Sequence, residues 1–204
     1  MMKIDFYFDF ISPFSYLAAM NIAEFGYAHG IQTHGAQIQW MPINLPSLIR
    51  ISDNIPPSHT PNKARYLVRD LKRKAKKMAL PLKLILPGTF DSRNAMYVAC
   101  MLNNEDRQRF CLTVLKNIWS GDVAVSNPDW LRDIVVKEKL PEKWLLYNTE
   151  TAKNMLRANT DRAFAAGAFG APSFVLHKSG RRELFFGVDH MPDLAAACAA
   201  KNDG

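Results

Sequence analysis

Phe8-Asp9-Phe10-Ile11-Ser12-Pro13-Phe14-Ser15-Tyr16-Leu17-Ala18 joins two kinds of hydrophobic periodicity within one short stretch. Upstream, Ile4, Phe6, Phe8 and Phe10 alternate with Asp5, Tyr7 and Asp9, the two-residue period of a strand. Downstream, Phe14, Leu17, Ala18, Met20 and Ile22 follow the spacing of an apolar helix stripe to about Ala28, with Gly30 as its expected stop. The switch falls on Ser12-Pro13, where serine suits the N-cap and proline the first helical position. A second strand is expected from Ala36 to Ile43, with Ile38 and Trp40 on one face. Two strands joined through a helix make a βαβ unit, for which a right-handed crossover is expected.

Working outward, Asn44 to Pro61 holds prolines at 46, 56, 57 and 61 among Ser, Asn and Asp residues, and is expected to be ordered but irregular. Helical periodicity then runs through Asn62–Ala79, Ser92–Asn103, Glu105–Trp119 and Asp129–Lys139, with Asn127-Pro128 as a second helix-start pair. A further helix is expected over Thr149–Ala166. Short strands follow at Ser173–Leu176 and Glu183–Phe186 around the turn His177-Lys178-Ser179-Gly180, and a last helix after Asp189. The order βαβ, helices, α, ββα is that of an α/β, thioredoxin-like fold with an inserted all-helical domain. The expected division is 1–60 for the first part of the thioredoxin-like domain, 61–155 for the helical insert and 156–204 for the second part.

A chain of 204 residues that is 48% hydrophobic fills one core or two small cores sharing an interface, which excludes disorder. The net charge of +7 is concentrated in the run Lys72 to Lys77. That run lacks the interleaved aromatic platforms of single-strand binding, so it reads as a solvated helix face and no nucleic-acid partner is expected. Cys100, Cys111 and Cys198 are too few and too scattered for a disulfide framework or a metal site, and read as small buried hydrophobes. The N-terminus carries Asp5 and Asp9 and lacks an uninterrupted apolar core, which argues against a signal peptide. No apolar stretch of about 18 residues is present, so a cytoplasmic protein without a membrane partner is expected.

In thioredoxin-type oxidoreductases the end of the first strand delivers a Cys-x-x-Cys pair onto the first helix N-terminus, where the helix dipole and free N–H groups stabilise a thiolate. Those positions are Ser12 and Ser15 here, so dithiol exchange is excluded. Ser12 is either an N-cap alone or a hydroxyl kept for a ligand. A second feature is Gly167-Ala168-Phe169-Gly170-Ala171-Pro172-Ser173-Phe174-Val175, a Gly-rich approach to a proline that opens a strand. Pro172 belongs at a strand start or edge, where a cis bond after Ala171 is affordable and turns backbone groups toward a ligand.

Together with Phe185-Phe186-Gly187-Val188-Asp189-His190, these segments resemble the kappa-class glutathione transferases and the 2-hydroxychromene-2-carboxylate isomerases, whose fold is of the DsbA-like type. The shared motifs are Phe-Asp-x-x-Ser-Pro-x-Ser-Tyr, Gly-x-Phe-Gly-x-Pro and Gly-x-Asp-Arg. Lys63 to Leu71 resembles the families' Lys-x-x-Tyr-Leu-x-x-Asp-Leu helix, so the likeness covers nearly the whole chain.

The resemblance implies a glutathione cofactor whose sulfur is hydrogen-bonded by Ser12. It also implies that Ala171, beside Pro172, pairs through its backbone with the cysteinyl part, and that Val188 and Asp189, after Gly187, hold the γ-glutamyl end. Asp189 suits capture of an ammonium group, and equally a routine N-cap. Asn54 and Lys63 match rim positions, where Lys63 meets a carboxylate or is a solvated helix residue. One departure stands out: the families' arginine after the aspartate is His190 here, which replaces a rigid charged fork by a ring that is mostly neutral near pH 7.

For an acceptor substrate, Trp119 matches a family tryptophan and, with Tyr66, Trp40 and Met96, is expected to wall an apolar pocket, Arg50 and Arg93 being candidates for a carboxylate; each has an ordinary structural reading as well. The function implied is a glutathione-dependent isomerase of 2-hydroxychromene-2-carboxylate or a related aromatic-degradation intermediate, with a small carboxylated aromatic substrate and a homodimeric assembly. A kappa-like transferase and a non-catalytic glutathione-binding module are the alternatives.

Overall fold

Four strands form one mixed sheet in the order β2-β1-β3-β4, where β1 is Lys3–Phe8, β2 Gln37–Pro42, β3 Ser173–Lys178 and β4 Arg181–Phe186. The computed structural model describes residues 2–28, 36–85, 88 and 90–200, and the expected helix stop at Gly30 lies outside them. β1 and β2 are parallel, with Phe6 opposite Trp40, and are linked through α1 (Pro13–Ala28), as the βαβ reading requires. β3 runs antiparallel to β1 with Phe174 opposite Phe6, and β4 antiparallel to β3. Between β2 and β3 lie α2 (Leu45–Ile51), α3 (Pro61–Lys77), α4 (Arg93–Met101), α5 (Asn104–Ser120), α6 (Trp130–Lys137) and α7 (Thr149–Ala165), and α8 (Met191–Ala199) follows β4.

Both faces of β1 are covered. Ile4, Phe6 and Phe8 join a core with Leu17, Trp40, Leu71, Phe110, Trp119, Ile134 and Phe174, while Tyr7 packs on the other face with Met41, Leu48 of α2, Ala163 of α7 and Val175. Phe6 stacks on Phe174 and meets Trp40 edge-on, both at 5.0 Å between ring centroids. Each such aromatic contributes about 1.5–3 kcal/mol by leaving water, so this cluster fixes the strand that carries the site. The edge of β2 is closed by α5: the Asn104 side-chain amide donates to Ile38 O (3.0 Å) and accepts from Trp40 N (3.2 Å), imitating a strand partner.

Three expectations need correction. The stretch after β2 is not wholly irregular: Asn44 caps α2, its side chain accepting from Ser47 N at 2.8 Å, and Pro46 sits in the first turn where no N–H is needed. The sixth helix starts at Trp130, because Asn127 Oδ1 accepts from Asp129 N (3.1 Å) and makes a turn before the helix begins. The last hairpin is tighter than expected. Ser179 (φ 50°) and Gly180 (φ 76°) are both left-handed, as a two-residue turn with the strands' own twist demands, so β3 runs on to Lys178 and β4 starts at Arg181.

Candidate active site at the start of α1

β1 ends at Phe8 because Asp9 turns the chain. Its Oδ1 accepts from Ile11 N (3.2 Å) and the Ser92 hydroxyl (2.8 Å), and its Oδ2 from Leu45 N (3.0 Å). One carboxylate thus ties the β1–α1 loop to the first turns of α2 and α4. Asp9 is 2% exposed, and that burial pushes its carboxyl up from the ordinary value against the hydrogen bonds that favour its charge. Phe10 O accepts from Trp119 Nε1 at 3.0 Å, which pins the loop from the side of α5.

The loop delivers Ser12, itself buried, to the start of α1. Its Oγ accepts from Ser15 N (3.1 Å), so the N-cap reading is correct, and its hydroxyl donates to Ala171 O (3.2 Å). Ser15, at the second position of the replaced cysteine pair, is fully buried, and its Oγ has no partner among the described residues. The peptide bond between Ala171 and Pro172 is cis, as the sequence suggested. The surrounding loop is held at several points: Asn54 Nδ2 donates to Phe169 O (3.4 Å), the Ser173 hydroxyl to Gly170 O (2.8 Å) and Gly187 N to Pro172 O (3.0 Å).

An open cleft of about 440 Å³ is walled by Phe14 of α1, two positions after Ser12 in the chain, and by Lys63, Tyr66, Leu67 and Asp70 of α3. At the Asp70 end stands a charged group. Lys74 Nζ lies 2.8 and 2.7 Å from the two oxygens of Asp70 and 3.1 Å from Asp189 Oδ1. Burial opposes the charge on Lys74, but the two carboxylates outweigh it and raise its pKa, so the side chain is an ammonium. Asp189 lies in the single 3-10 turn Val188–His190 ahead of α8, where its side chain caps nothing; Val188 is buried. His190 Nδ1 lies 2.9 Å from Asp193 Oδ2, on the exposed side of that turn.

Ser12, Ala171, Pro172 and Gly187 therefore come together through direct or shared hydrogen bonds, and Asn54 joins them at Phe169. Lys63 and Tyr66 line the cleft with Phe14. The other acceptor-side expectations do not hold in this form. Trp40, Met96 and Trp119 are core side chains, with 3% exposure or less, because the sheet and α5 close over them, and Trp119 spends its N–H on Phe10 O. Arg93 is bound to Asp91 at the start of α4, and Arg50 is an exposed residue of α2; neither lines the cleft. Asp9 and Lys74 went unassigned in the sequence. Asp70 and Lys74 do have the i,i+4 spacing of a helix ion pair, which singles Lys74 out of its basic run.

The cysteines are buried and free, and burial pushes the Cys100 thiol up to about 12. They offer no nucleophile. Among the described residues no group of three or more His, Cys, Asp or Glu side chains is placed to hold a metal ion, and no helix is long and apolar enough to cross a membrane.

A parallel β1–β2 pair, an antiparallel β3–β4 hairpin, a helix N-terminus facing a cis-proline loop and helices between the halves are the marks of one class, and the chain belongs to the DSBA-like thioredoxin domain family, which it matches over residues 3–199. Within it, the chain is 36% identical over 199 residues to a 2-hydroxychromene-2-carboxylate isomerase of Pseudomonas sp. (strain C18), covering 92% of this chain and 86% of the relative. It is 30% identical over 211 residues to glutathione S-transferase kappa 1 of Caenorhabditis elegans, with the same two coverages, 92% and 86%. The fold matches that of a solved 2-hydroxychromene-2-carboxylate isomerase with a TM-score of 0.76 at 24% identity, covering 97% of this chain and 94% of that one. The expected thioredoxin-like, DsbA-type fold is therefore correct.

Proposed function

We propose that this protein is a glutathione-dependent enzyme that isomerises 2-hydroxychromene-2-carboxylate or a related ring-opened aromatic acid. The observation that carries the reading is the Ser12 hydroxyl, held at the N-terminus of α1 against Ala171 O in a position where relatives of this fold use a sulfur. The relatives named above, an isomerase and a glutathione transferase, support the ligand and the reaction class.

The cleft fits a tripeptide thiol. Lys63 and Asp70 are seven residues apart on α3, about 10 Å along its axis, which is close to the extended reach of three residues. In this reading Ser12 holds the sulfur, the backbone of Ala171 pairs with the cysteinyl part, Val188 and Asp189 hold the γ-glutamyl end with Asp189 on its ammonium, and Asn54 and Lys63 guard the rim. Glutathione, when bound, supplies a nucleophilic sulfur that adds reversibly to a conjugated acceptor and is regenerated.

The contribution of the chain is to favour the thiolate. A free thiol titrates near about 8.5, and lowering that by about 2 units takes roughly 2.7 kcal/mol. A helix N-terminus gives about 0.3–2 kcal/mol and a hydrogen bond to a charged group about 1.5–3 kcal/mol, so α1 and Ser12 suffice. The Ser12 hydroxyl is a rotor: turning its hydrogen from Ala171 O toward a thiolate exchanges a neutral acceptor for a charged one and leaves the Ser15 amide bond intact.

The test is turnover of 2-hydroxychromene-2-carboxylate followed by absorbance with and without glutathione. Glutathione-dependent isomerisation with the thiol recovered is expected. The C. elegans relative favours a second reading, a transferase, which a stable thioether accumulating from a model electrophile would establish instead. Binding of glutathione with neither reaction would leave a binding module and sink the enzyme reading.

A further inference from the structure

His190 stands where the resemblance places an arginine, and its ring is turned to Asp193, 2.9 Å away, rather than toward Asp189. The cation that does reach Asp189 comes from a different element. Lys74, on α3, lies 3.1 Å from Asp189 Oδ1 and bonds both oxygens of Asp70, which itself lines the cleft. Unlike the exposed Lys72, Arg73, Lys76 and Lys77 around it, Lys74 has a side chain only 16% exposed, so its head is held in place by the two carboxylates.

We propose that Lys74, with Asp70 and Asp189, recognises the α-amino acid zwitterion at the γ-glutamyl end of glutathione, Lys74 taking the α-carboxylate and Asp189 the α-ammonium. This rests on reading the cleft as a glutathione site. One ammonium between two carboxylates carries a net negative charge, which favours a ligand end that brings an ammonium of its own. The Asp189 side chain is 71% exposed and open to that ammonium, while Asp70 keeps Lys74 anchored when Asp189 exchanges partners. The ligand then extends an alternating row: Asp70, Lys74, ligand carboxylate, ligand ammonium, Asp189. Lys63 and Lys74 are eleven residues apart on one helix, about 16 Å along its axis. Two flexible lysine stems shorten that span to the separation of the two terminal carboxylates of glutathione, so α3 addresses both ends of the ligand.

Calorimetric titration of the parent, Lys74→Met and Lys74→Arg tests this with two probes, glutathione and 4-aminobutyryl-cysteinylglycine, which lacks only the α-carboxylate. The parent is expected to prefer glutathione. Lys74→Met, which keeps the aliphatic stem, should weaken glutathione by about 10- to 100-fold, the range of a hydrogen bond between charged groups. It should leave the decarboxylated probe nearly unchanged, and Lys74→Arg should restore most of the preference. Equal losses for both probes, or a Met variant that binds glutathione as tightly as the parent or more tightly, would overturn the assignment while leaving the glutathione reading intact. A parent that binds neither probe at millimolar concentration overturns both. Melting curves of the three proteins confirm that folded states are compared.

Discussion

The Ser12 hydroxyl and the Ala171 carbonyl oxygen lie 3.2 Å apart, although 159 positions separate the two residues in the chain. This bond closes the helix N-terminus onto the cis-proline loop, and the same hydroxyl accepts from Ser15 N to cap α1. One side chain therefore serves structure and, in the proposed reading, thiolate binding.

Ser12→Ala should fold, because the lost cap and the lost bond to Ala171 cost about 1–2 kcal/mol. It should lose most of its turnover at saturating glutathione. Activity within twofold of the parent would reduce Ser12 to a cap. Ser12→Cys should place a thiol at the positive end of the helix, and that thiol should react with iodoacetamide near pH 6 faster than an ordinary cysteine does.

Ser15→Ala is the contrasting case. The Ser15 hydroxyl is buried and unpaired among the described residues, so deleting it removes an unsatisfied polar group. Stability should stay level or rise by up to about 1 kcal/mol, with turnover unchanged. A large loss of activity would show that the second serine takes part in the chemistry.

Asp9→Asn tests the carboxylate beneath the loop. Asp9 accepts three hydrogen bonds, and an amide would aim two N–H donors at groups that already donate, so a loss of about 1–3 kcal/mol is expected by urea unfolding. The pH dependence has a definite sign. Burial raises the folded-state pKa of Asp9 above its ordinary value of 3.8, so between that value and the raised one the folded protein binds more protons than the unfolded chain. Asp9 therefore makes the stability of the parent fall as pH rises through that window. The stability difference between parent and Asp9→Asn should shrink over the same range and level off above it. A difference independent of pH would mean that Asp9 is not perturbed by its burial.

Much of this was legible in the sequence. The switch from period 2 to helical spacing at Ser12-Pro13 located the site's helix to the residue, because capping and proline chemistry are local. Likewise Pro172 at the start of β3 was readable, since proline has few places in a sheet. Trp119 misled because a tryptophan is both a good pocket wall and a good core residue, and only the packing of α5 against the β1–α1 loop decides between them. Lys74 was hidden for the opposite reason: its spacing from Asp70 marks an ordinary helix ion pair, and only the contact with Asp189, a partner from outside the helix, gives it a place at the site.

His190 is where chain and resemblance part, and its geometry yields the last prediction. If the ring served the ligand carboxylate, its removal would weaken glutathione binding. The ring instead faces Asp193, three residues on, with both side chains more than half exposed, an arrangement in which solvent screens the pair and little energy is at stake. His190→Ala should therefore bind glutathione within about twofold of the parent at pH 6 and at pH 8, and melt within about 0.5 kcal/mol of it, as surface substitutions generally do. The two titrations at each pH separate the alternatives directly. A loss at either pH would show that the ring swings from Asp193 to the ligand, and would move the role assigned to Lys74 back to the position that follows Asp189.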